Sequence, residues 1–89
     1  MRYAALALGI MSAAACSSEP APNPFPPSAQ TAFYEVCSGG EAYCGCSWDK
    51  ITRHFTAEEW AAAQATLDAT GHPDPRIVVI ANACREETL

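Results

Sequence analysis

Four cysteines, Cys37, Cys44, Cys46 and Cys84, fall within a stretch of about sixty residues that offers little else to hold a fold together. A domain of that size hides too small a fraction of its surface to be stable by burial alone. Its large apolar side chains are Phe33, Val36, Trp48, Ile51, Phe55, Trp60, Leu67 and the run Ile77-Val78-Val79-Ile80, and much of the remaining hydrophobic content is alanine. One disulfide typically contributes about 2–4 kcal/mol, comparable to what a core this small supplies. The cysteines therefore read as staples, which places the chain in an oxidising compartment.

Two other uses of the same thiols compete with stapling. A structural zinc site usually pairs its ligands as C-x2–4-C, whereas the spacing here is C-x6-C-x-C-x37-C. On a helix Cys44 and Cys46 point about 200° apart, too far to share one metal without unwinding. His54 and His72 do not complete the pattern and read as solvated. A redox pair Cys44-Gly45-Cys46 would need a bridge across a single residue, a strained geometry, and no βαβ unit surrounds it. The sequence calls for no metal and no cofactor.

Cys16 makes five cysteines, an odd number that needs its own explanation in an exported chain. Met1-Arg2 is followed by thirteen uncharged apolar and small residues, Tyr3 to Ala15. A basic start, an apolar stretch and small residues before a cut are the order of a secretory signal, and the stretch is shorter than the ~20 residues of a membrane-spanning helix. Ala13-Ala14-Ala15-Cys16 resembles the lipobox of bacterial lipoproteins. The resemblance implies that residues 1–15 are removed and that Cys16 carries diacylglycerol, with palmitate among the acyl chains. It also implies that Ser17, in place of Asp, directs the protein to the outer membrane, facing the periplasm. Ordinary cleavage after Ala15 is the alternative.

Loss of Arg2 with residues 1–15 takes the formal charge from −5 to −6, ten acids standing against Lys50, Arg53, Arg76 and Arg85. Such a chain has no electrostatic grip on nucleic acid. It has no polybasic hold on anionic lipid either, so its membrane partner is reached through the covalent lipid.

Residues 16–30 hold the lipidated Cys16 and a tract, Ser17 to Gln30, with five prolines, Pro20, Pro22, Pro24, Pro26 and Pro27. This composition favours polyproline II, a spacer reaching roughly 40 Å, with Phe25 a solvated residue within it and docking of Phe25 on the domain the alternative. Residues 31–89 read as an all-α domain of four short helices. The first runs near Ala29 to Cys37, with Phe33, Val36 and Cys37 on one side, and Gly39-Gly40 ends it. The second runs near Glu41 to His54, with Cys44, Trp48, Ile51 and Phe55 as an apolar stripe. Thr56-Ala57-Glu58-Glu59 is a capping box, and Phe55 with Trp60 forms a hydrophobic staple around it. That third helix turns Trp60, Ala63, Gln64 and Leu67 inward and ends at Gly71. Asp74-Pro75 fits N-cap and N1 of a fourth, whose stripe is Ile77, Ile80, Ala81 and Cys84. A strand over Ile77–Ile80 is the alternative, but no other segment offers to pair with it.

These faces favour one disulfide scheme. Cys44 and Cys84 lie on inner stripes and point toward each other, which leaves Cys46 to meet Cys37 across the glycine turn. The scheme Cys37–Cys44 with Cys46–Cys84 is the second choice. No catalytic constellation emerges: Glu58-Glu59 belong to a helix first turn, Ser38-Gly39-Gly40 lacks a strand–turn–helix frame, and Glu86-Glu87 are a solvated end. The domain is loosely similar to small cysteine-bearing helical proteins of bacterial envelopes, through Phe33, Cys44-x-Cys46, Thr56 to Trp60 and Ala83-Cys84-Arg85. The expectation is a non-enzymatic binding or structural module that meets another envelope protein. A periplasmic thiol-redox or metal-handling protein using Cys37, Cys44, Cys46 and Cys84 is the rival.

Overall fold

A computed structural model describes residues 19–89. The expected signal peptide, with Ala13-Ala14-Ala15 and Cys16, lies outside the described residues. Four helices follow one another: α1 (Pro27–Val36), α2 (Glu41–His54), α3 (Ala57–Thr70) and α4 (Pro75–Glu87). No strand forms among the described residues. Ile77 to Ile80 are helical, as their spacing relative to Cys84 requires.

Local chemistry sets the helix ends. At the start of α3 the Thr56 hydroxyl accepts from the Glu59 amide at 3.1 Å, and the Glu59 carboxylate accepts from the Thr56 amide at 2.9 Å. Phe55 and Trp60 close the staple with ring centroids 5.5 Å apart. Gly71 ends α3 in the left-handed conformation that glycine adopts without a Cβ penalty. The Asp74 carboxylate accepts from the Arg76 amide at 2.8 Å and caps α4, with Pro75 at its first position. The first helix departs from expectation. It begins at Pro27, because Pro26 and Pro27 occupy the N-cap and first-turn positions where a missing N–H costs nothing.

Helix α2 is the centre of the fold and packs mainly against α4 and less extensively against α1. Cys44, Ser47, Trp48 and Ile51 form its buried face. Around them Phe55, Trp60, Ala63, Ile80 and Cys84 complete the core, with Phe55 and Cys84 fully buried. Phe33 stacks on Trp48, with centroids 5.2 Å apart. Val36, expected beside Phe33 on the inner face, is 76% exposed instead: α1 ends at that residue, and its last turn meets the core through Phe33. Only the first two turns of α3 are buried, through Trp60 and Ala63. Gln64 and Leu67, expected to be inside, are half-buried.

The largest correction concerns the proline-rich tract. Residues 19–26 do not stand off as a solvated spacer; they form a strap across α2. Asn23 donates through its backbone amide to the Thr52 carbonyl at 2.7 Å and through Nδ2 to the carbonyls of Thr52 and Phe55 at 3.1 and 2.8 Å. Phe25 is half-buried and meets Trp48 edge-on. Polyproline conformation leaves its own backbone groups free, so an extended strap can bond a neighbouring helix end without losing any internal bond.

Candidate functional site

The described sequence-predicted site residues all belong to the two disulfides. These are Cys37–Cys44 and Cys46–Cys84, with Cα separations of 6.1 and 5.7 Å. The favoured pairing of Cys44 with Cys84 and Cys37 with Cys46 is therefore wrong. The inside of α2 is not a single direction. Helix α2 is instead flanked by α1 and α4 on different sides. Cys44, in its first turns, lies where the Gly39-Gly40 turn returns the end of α1, and both glycines have positive φ. Cys46, 200° round the helix, lies on the flank that α4 covers. Each bridge has a more buried member: Cys44 is 5% exposed and Cys84 0%. An attacking thiolate must reach a sulfur to exchange it; Cys44 and Cys84 offer no such access, whereas their partners Cys37 and Cys46 are half-buried. Among the described residues no group of three or more His, Cys, Asp and Glu is placed to hold a metal ion.

A second constellation was not foreseen from the sequence. The strap begins beside a basic part of α2. Glu19 Oε2 lies 3.1 Å from Lys50 Nζ and 3.5 Å from His54 Nε2. Arg53 Nη1 donates to the Pro20 carbonyl at 3.0 Å. The Lys50 ammonium holds the Glu19 carboxyl below its ordinary value, with His54 assisting and partial desolvation opposing. The same pair raises Lys50. Lys50 also reaches Glu87 at the end of α4, at 3.4 Å.

Next to this pair the start of α4 carries Arg76. Its guanidinium carbon lies 4.0 Å from the centroid of the Phe55 ring, and Nη1 donates to the His54 carbonyl at 3.1 Å. Asp74, bonded by the side chain and amide of Arg76, is held below the usual carboxylate range, and Arg76 is raised in turn. Arg76 thus ties the α3–α4 loop to the end of α2. His54, Pro75, Arg76, Val79 and Ile80 line an open groove of about 250 Å³ whose floor is almost entirely apolar. Val79 is 67% exposed at its edge.

A smaller cleft of about 210 Å³ lies where the helices meet, lined by Phe33, Cys37, Tyr43, Ser47, Trp60 and Ile80 among others. Ser47 Oγ is buried and has no hydrogen-bond partner among the described residues.

The strap residues Glu19, Asn23 and Phe25 had one legible signal. Phe25 is the only large apolar side chain in a tract of prolines and small or polar residues, and an aromatic there has reason to dock. Compared with known proteins, the chain matches no family model, no curated protein and no solved structure.

Proposed function

We propose that this chain is an exported bacterial lipoprotein, anchored through diacylglycerol on Cys16, whose disulfide-stapled helical domain works by presenting a surface to another envelope component and not by catalysis. The observation that carries the reading is the pair of disulfides. They use every cysteine except Cys16, so the one cysteine left over is the one that follows Ala13-Ala14-Ala15. Two bridges in one small domain suit an oxidising space such as the periplasm. No described helix is long and apolar enough to cross a membrane, so attachment in this reading rests on the lipid. The acidic composition turns the domain away from nucleic acid.

Acyl labelling in the native host tests the anchor. The wild-type protein takes up labelled palmitate and fractionates with the outer membrane, whereas Cys16→Ser takes up none. A wild-type protein that is unlabelled and found in the soluble periplasm replaces the anchor with ordinary cleavage after Ala15. Thiol titration of the denatured, unreduced protein tests the staples. Four reactive thiols in freshly isolated protein would restore the thiol-redox or metal-handling reading. Capture of the anchored protein from its own membranes by crosslinking identifies the partner.

A further inference from the structure

From the strap we infer that the domain lies directly against the phospholipid surface, with the groove edged by Val79 turned toward the lipid. This rests on the anchor proposed above. The chain is fixed to α2 from Glu19 onward by contacts to Lys50, Arg53, His54, Thr52 and Phe55. Only Ser17 and Ser18 separate Glu19 from Cys16. Three residue steps span at most about 10 Å when fully extended. The proline tract, which as a free spacer would hold the domain far from the membrane, is consumed in the fold, and chain length alone keeps an acylated Cys16 within about 10 Å of the Glu19 end of the strap.

The surface at that end suits a headgroup layer. His54 touches Glu19 and also lines the groove with Pro75, Arg76, Val79 and Ile80. Val79 is 67% and Val78 45% exposed on the adjoining part of α4, an apolar edge left open among the described residues. Of the four Lys and Arg residues that follow Cys16, Lys50 and Arg53 hold the strap and Arg76 lines the groove; Lys50 also reaches Glu87 at the far end of α4, where Arg85 lies. Apolar side chains bordered by cations are what an interfacial surface presents to acyl chains and phosphates. These charges are already engaged with Glu19, Glu87, Asp49, Asp74 and Glu59. They orient the domain without gripping the membrane; the lipid supplies the attachment.

The test uses the full acylated protein in vesicles of phosphatidylethanolamine and phosphatidylglycerol. A fluorophore is placed on Val79→Cys and, separately, on Asp68→Cys, an exposed position on the outer side of α3. Quenching by lipids carrying a nitroxide near the headgroup should be several-fold stronger at position 79 than at position 68. Mass measurement of the Cys16 peptide is made on the same samples. Acylated protein with equal quenching at the two positions, or stronger quenching at 68, overturns the orientation and leaves the anchor standing. Absence of the acyl group overturns both.

Discussion

Phe25 stands edge-on to Trp48, with ring centroids 5.2 Å apart and planes inclined by 72°. Through this contact the proline-rich strap becomes part of the core, because Trp48 also stacks on Phe33 and meets Trp60 edge-on. An aromatic pair of this geometry contributes about 0.5–1.5 kcal/mol beyond burial of its area. Phe25→Ala should therefore destabilise the domain by roughly 1–3 kcal/mol, below the range for a fully buried phenylalanine because Phe25 is only half-buried. Urea unfolding of the disulfide-intact domain measures it. A variant as stable as wild type would show that the strap rests on the fold without supporting it.

The two bridges close loops of very different length, with sequence separations of 38 for Cys46–Cys84 and 7 for Cys37–Cys44. By chain entropy the long bridge should contribute about 4 kcal/mol and the short one about 2 kcal/mol. Cys46→Ser with Cys84→Ser should thus lower the urea midpoint more than Cys37→Ser with Cys44→Ser. The pairing itself is settled on the wild-type protein, by peptide mapping without reductant after the chain is also cut between Cys44 and Cys46. Cleavage after Lys50 and Arg76 without reductant should leave the Cys46 and Cys84 peptides linked.

Much of this architecture is legible in local sequence. Thr56 to Trp60, Gly71 and Asp74-Pro75 carry their instructions within a few residues, and the helix boundaries they set appear where expected. The positions of Phe25 and Val36 and the cysteine pairing depend on what lies beside a helix, which local pattern does not encode. A stripe shows that Cys44 points inward; it does not show that the inside of α2 is shared by α1 and α4. Proline content shows that residues 19–26 are extended, and extension is compatible with a free spacer and with a strap. The hydrogen bonds of Asn23 to Thr52 and Phe55 decide between them.

Acidification should loosen the strap at its N-terminal end first. Glu19 is held below its ordinary value of 4.5, principally by Lys50. A carboxyl depressed in the folded state adds stability above its unfolded value and loses it as pH falls through the folded one. Lys50 is raised above 10.5 by the same contact, so its share is complete below that value and lost as pH rises through the folded one. The ionic contribution is therefore fullest between these limits and disappears in acid below the usual carboxylate range. Both groups are partly exposed, so the effect is small and weakens with salt. Hydrogen exchange at the Asn23 amide, which bonds Thr52, reports it. Protection there should fall in acid before protection in the middle of α2, and Glu19→Gln should remove the pH dependence.

Removal of the Thr56 hydroxyl should cost about 1 kcal/mol, because the Glu59 amide then has no acceptor at the start of α3. Thr56→Ala is the test and Thr56→Ser, which keeps the oxygen, the control. Since α3 is held by its first turns, through Trp60 and Ala63, loss of the cap should reduce helical circular dichroism before the core unfolds.

The glycine turn is the most sensitive point of the short bridge. Gly39 has φ of 120° and Gly40 of 98°, and this turn brings Cys37 back onto Cys44. At Gly40 an added Cβ would meet nothing, whereas at Gly39 it would come within 2.8 Å of the Tyr43 ring. Both substitutions to alanine carry backbone strain of about 1–3 kcal/mol; only Gly39→Ala must also displace Tyr43. Displacing that ring disturbs the helical turn that carries Cys44. Gly39→Ala should therefore cost more stability than Gly40→Ala and should leave a larger fraction of Cys37 and Cys44 unpaired after oxidative refolding. Urea unfolding and thiol titration of the two refolded variants read the two effects. Equal behaviour of the variants would mean that backbone strain alone governs the turn and that Tyr43 yields freely.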